Sequence, residues 1–189
     1  MKAAAIALTI IIALALQTSL AWFLTPGANV VDLVFVVVVY IGLAAGPAAG
    51  LISGAVAGLA QDALAATGTS TIAVLSGVVT ARSIIGIGGL AKTVVGFFAG
   101  VIGSQFIVAR PVPRGLVFFT ATVAHAIIFV GLYRMIDQGN AEPTISAIFG
   151  QAGANALVGV ILFQISESLP GFVDRRRSMS GGMHINRRF

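Results

Sequence analysis

Charge is missing from this chain over distances that no water-facing fold tolerates. Between Lys2 and Asp32, Asp32 and Asp62, Lys92 and Arg110, and Glu142 and Glu167 there is no Asp, Glu, Lys or Arg. Such gaps match the roughly 20 apolar residues that a helix needs to cross the hydrocarbon of a bilayer. Only 9% of the 189 residues are charged and 58% are hydrophobic, against roughly 25% charged in a soluble domain. Lipid is therefore the expected solvent. In lipid a segment must satisfy its own backbone, which leaves helices for these lengths, including for the β-branched run Val36-Val37-Val38-Val39.

Turn signals divide the chain into six expected spans, at about residues 3–24, 30–45, 48–66, 90–108, 116–136 and 145–169. Pro26-Gly27, Gly46-Pro47, Arg110-Pro111-Val112-Pro113-Arg114, 137–143 and Pro170-Gly171 punctuate them. The reading is an all-α, six-helix transmembrane domain over 1–172 and a basic tail over 173–189. The first run continues through Trp22, Phe23 and Leu24 past the signal-peptidase-like Ser19-Leu20-Ala21, so it is expected to remain as a helix. Residues 67–89 are ambiguous. Their apolar run from Ile72 to Val79 is too short to span and suits a re-entrant or interfacial segment.

Charge orients the spans. With both termini inside, the inner side holds Lys2, Arg110, Arg114, Arg175, Arg176, Arg177, Arg187 and Arg188, and the outer side only Arg82 and Arg134. That asymmetry fits the positive-inside rule and a bacterial inner membrane with cytoplasmic termini. The net charge of +5 is thus an orientation signal, with five of the eleven basic residues in the last fifteen positions. A nucleic-acid surface is not indicated. Lack of cysteine excludes disulfides and thiolate metal sites. His125 and His184 lie far apart and form no ligand pair. Gly86-Ile87-Gly88-Gly89 lacks the strand and spacing of a dinucleotide site. No catalytic, cofactor or metal constellation is expected.

Two stripes of small residues stand out. Gly46, Gly50, Gly54 and Gly58 recur every four residues, as do Gly88, Lys92, Gly96, Gly100 and Ser104. Residues four apart share a helix face, and glycine there admits another helix at backbone distance. The first stripe continues to Asp62, and Lys92 lies within the second. Isolated charges at such depth cost about 2.5–3.5 kcal/mol each on insertion scales. An Asp62–Lys92 ion pair is therefore expected, with Asp32 as the competing partner. Gln17, Thr18, Gln151 and Asn155 fall in the same outer half, and His125 near the middle of the fifth span.

In order and spacing these blocks resemble the rod shape-determining MreD family, over about Asp32 to Ile136. Asp32-Leu33 opens the second span as that family's Asp-Leu element does. Gly46-Pro47, the glycine ladder and Gly58-Leu59-Ala60-Gln61-Asp62 resemble its second block, and Gly86 through Gly100 its third. The chain departs from the family in an apparent insertion at Thr69 to Ser83. The resemblance implies a fold similar to the substrate-binding subunits of energy-coupling-factor transporters. It also implies a non-enzymatic scaffold of cell elongation and peptidoglycan synthesis. Such a scaffold would bind a single-span MreC-like protein, serve the peptidoglycan polymerase and transpeptidase, and connect indirectly to MreB filaments. A homodimer is compatible with it. The rival expectation is a vitamin-binding subunit of such a transporter, with Asp32, Asp62, Lys92, Gln151 and Asn155 lining a pocket.

Overall fold

The computed structural model describes residues 2–23, 31–67, 85–105, 110–136 and 145–168. These form six α-helices: α1 (Lys2–Phe23), α2 (Leu33–Ala45), α3 (Pro47–Thr67), α4 (Ile87–Gln105), α5 (Pro111–Ile136) and α6 (Ile145–Ser168). No strand occurs among the described residues. Four helices, α3 to α6, are long and apolar enough to cross a membrane, while 3–19 and 33–45 are shorter apolar helices. The ambiguous segment at 67–89, apart from its two ends, lies outside the described residues. So do Arg82, the insertion at 69–83, the loop at 137–143 and the basic tail.

The shortest helix is the centre of the molecule. α2 packs against each of the other five, and α1, α3, α4, α5 and α6 follow one another around it. Val34, Phe35, Val36, Val37, Val38, Val39, Ile41 and Gly42 are all buried. One side of α2 joins Ile10, Ala13 and Ala57. The other joins Val95, Ala99, Phe118 and Phe163. At about 1.5 Å per residue its 13 residues reach about 20 Å, well short of the ~30 Å hydrocarbon thickness. Being surrounded by protein is what makes so short a helix tolerable.

Gly46 ends α2 at φ 96°, where only glycine sits without strain. Its N–H bonds Gly42 O at 2.8 Å. Pro47 then opens α3, at the helix position where its missing N–H costs nothing. Gly46 therefore serves the turn: a Cβ there would meet nothing within 4 Å, while its carbonyl carbon lies against Gly100 of α4.

The rest of the stripe packs internally, α3 on α4. A Cβ on Gly50 would fall on the backbone of Gly96, one on Gly54 on Lys92 and Thr93, and one on Gly58 on Gly89 at 2.5 Å. From the other side, Gly96 faces Gly50, and Gly100 faces Pro47. Gly42 of α2 also lies on Gly96 and Gly100. These contacts lock α2, α3 and α4 together by backbone approach, the packing that small residues permit where no hydrophobic effect drives association.

The fifth helix starts earlier than the proline-rich sequence suggests. Pro111 through Arg114 form its first turn, because prolines there give up no intrahelical hydrogen bond. Arg114 is consequently not a loop residue. It is 2% exposed and makes a two-pronged pair with Glu167 of α6, Nη1 to Oε2 at 2.9 Å and Nη2 to Oε1 at 2.5 Å. Its guanidinium also lies 4.7 Å from the Phe163 ring centroid.

Candidate functional site: a polar layer at the head of α2

The N-terminus of α2 is buried inside the bundle, at the level of the middle of α5 and α6. The first N–H groups of any helix have no partner within it, and here side chains from other helices supply acceptors. Gln17 of α1 accepts from Leu33 N at 2.7 Å and donates to Val31 O at 3.3 Å. Asn155 of α6 accepts from Asp32 N at 3.0 Å. Asp32 caps its own helix, Oδ1 accepting from Phe35 N at 2.9 Å. Asn155, 0% exposed, also donates to Thr122 Oγ1 of α5 at 3.3 Å. The Thr122 hydroxyl in turn donates to Phe118 O at 2.8 Å.

The second Asp32 oxygen meets Lys92 Nζ at 3.1 Å. Lys92 is 4% exposed. A buried charge at this depth needs an opposite one close by, and Asp32 supplies it with its other oxygen already held in place. His125 of α5 lies one turn beyond Thr122. Its ring packs on Phe35, centroids 4.8 Å apart. Five helices thus contribute to one layer: Gln17, Asp32, Lys92, Thr122 with His125, and Asn155.

The expected Asp62–Lys92 pair does not form, and the competing partner, Asp32, takes Lys92. The antiparallel register of α3 and α4 explains this. Gly54 lies against Lys92 and Gly58 against Gly89, so Asp62, one turn further, reaches the beginning of α4. Lys92 is four residues beyond Gly88, against which Asp62 sits, about 6 Å along the helix axis. Asp62 Oδ2 instead accepts from Gly86 N at 2.9 Å and Gly89 N at 3.1 Å. Its carboxylate thereby caps α4 from another helix, satisfying free N–H groups and opposing the positive helix end. Gly88 leaves room for the carboxylate, which a Cβ would strike, and Gly86 turns at φ 108°.

Of the other polar residues singled out in the sequence, Gln17, His125 and Asn155 enter the layer, whereas the Thr18 hydroxyl donates back to Leu14 O and Ala15 O of its own helix. Gln151, one turn before Asn155, is partly buried, and the layer's hydrogen bonds run to Asn155 instead. Sequence reasoning did not single out Thr122, or the Arg114–Glu167 pair. The available signal for the latter was opposite charges at adjoining ends of two consecutive spans. Among the described residues no group of three or more His, Cys, Asp or Glu could hold a metal ion. The chain matches no family model, no curated protein and no solved structure.

Proposed function

We propose that this chain is a non-enzymatic membrane scaffold of the MreD type. In that role it crosses the inner membrane six times with both termini in the cytoplasm. It binds a single-span MreC-like partner and supports the peptidoglycan polymerase and transpeptidase of cell elongation. The supporting observation is where the family-like blocks go. Asp32-Leu33, Gly46-Pro47 with the glycine ladder and Asp62, and Gly86 to Gly100 all meet in one unit, α2–α3–α4. There the charges neutralise one another, Asp32 against Lys92, and Asp62 is engaged by backbone N–H groups. Side chains used this way build a rigid body. The face of α4 away from the ladder carries Leu90, Val94, Phe97 and Phe98, all exposed, a surface suited to lipid and to a partner's helix.

The rival role, a vitamin-binding subunit of an energy-coupling-factor transporter, draws on a different observation. His125 Nε2 of α5 and Gln61 Oε1 of α3 are buried without hydrogen-bond partners, polar groups that a ligand could engage.

Purification of the tagged chain from its own membranes in mild detergent separates the two. The scaffold role predicts recovery of a protein with one transmembrane helix, and rounding of rod-shaped cells on depletion. Recovery of a small ring-shaped molecule together with transporter ATPases would replace it with the rival. A carboxyl end mapped to the periplasm would overturn the proposed orientation.

A further inference from the structure

The layer at the head of α2 has more hydrogen-bonding capacity than its protein partners use. His125 Nε2 is buried with no partner. A neutral imidazole has one nitrogen that donates and one that accepts, so Nε2 calls for a partner in either tautomer. Lys92, 4% exposed as a residue, has three N–H donors, and its ammonium is paired with one carboxylate oxygen, Asp32 Oδ2. The chain at Val31 and Asp32 is not helical, and irregular backbone at membrane depth is stable where protein or internal water covers it.

The charge pattern narrows the occupant. A cation at His125 would be opposed by the Lys92 ammonium, and an anion by the Asp32 carboxylate. The pair is already neutral as a unit, so the site suits a small uncharged molecule able to donate and accept. We propose that an internal water molecule is bound to His125 Nε2 beside the Asp32–Lys92 pair, making the head of α2 a hydrated site within the bundle. Buried waters of this kind serve two to four otherwise unsatisfied polar groups. The proposal concerns the interior of the bundle and stands apart from the scaffold role.

Two phenylalanines provide a matched test. Phe35 and Phe118 are 1% and 0% exposed. Phe35 packs on His125, whereas Phe118 packs on Phe163 and Gly159. Microsecond X-ray radiolysis of the full chain in detergent, in ¹⁸O-labelled water, generates hydroxyl radicals from bound as well as bulk water. Phe35 is expected to take up label several-fold faster than Phe118, despite equal burial. His125→Leu should lower the Phe35 rate to that of Phe118, and His125→Gln, which keeps hydrogen-bonding capacity, should preserve the excess. Equal labelling of the two rings in the wild-type chain would overturn the proposal, a result that needs no variant to fold.

Discussion

Substituting Gly54 with alanine tests whether the α3–α4 seam holds the molecule together. The new Cβ would fall closest to the Lys92 carbonyl oxygen, and 2.7 Å from the Lys92 carbonyl carbon and 2.8 Å from Thr93 Cα. Ordinary contact begins at 3.4 Å, so the two backbones must part by at least about 0.7 Å, the difference from 2.7 Å. All three obstructing atoms are main chain, and no rotamer change relieves them. Overpacking of this kind costs typically about 1–3 kcal/mol, and alanine returns about 1 kcal/mol through its helix propensity. The net loss is about 2 kcal/mol if the clash falls at the upper end, as a main-chain clash should. The displaced Lys92 backbone also pulls on the pair with Asp32, which weakens the layer at the same time. Gly153→Ala is the control, since nothing lies within 4 Å of its Cβ; it should be neutral or stabilising by up to about 1 kcal/mol. Thermal unfolding in detergent, read as the loss of the monodisperse species, should place Gly54→Ala below wild type and Gly153→Ala at or above it. Equal stability of the two variants would refute the claim that backbone approach at Gly54 holds the seam.

Asp32→Ala leaves the Lys92 ammonium buried without its partner and should destabilise the chain by about 3–5 kcal/mol. Adding Lys92→Leu should recover much of that loss, while the same second change should not rescue Asp62→Ala; reversed rescue would show the pairing to be misassigned. Asp62→Ala removes the cap of α4 and should cost about 0.5–2 kcal/mol, with faster amide exchange at Gly86 and Gly89 as its local signature. Unchanged exchange there would mean that another group does the capping. Asn155→Leu strips the Asp32 N–H and Thr122 hydroxyl of a partner and should cost about 1–3 kcal/mol. If its unfolding matched wild type, the head of α2 would not depend on α6.

The helices were readable because lipid imposes a simple rule. A chain that carries no charge over such gaps must satisfy its backbone locally, so spans, turns and candidate packing glycines could be taken from the sequence. Gly50, Gly54, Gly58, Gly96 and Gly100 announced close approach by their spacing. Gly46 shared that spacing yet serves the turn, because its role depends on φ, which periodicity does not encode. The start of α5 was obscured in the same way, since proline marks a loop and the first helical turn alike.

The sequence by itself determined that this chain is helical and apolar, and that its few polar residues at depth must find partners. Which partners they find was decided by the tertiary structure. In a medium as apolar as valine, hydropathy cannot rank helices by burial, so nothing in composition announces that α2 is the centre. Nor does spacing along one helix fix the register against another. That register sets Lys92 opposite Gly54 and carries Asp62 on to Gly88, four residues or about 6 Å nearer the start of α4, where backbone N–H groups hold it, while Lys92 pairs with Asp32.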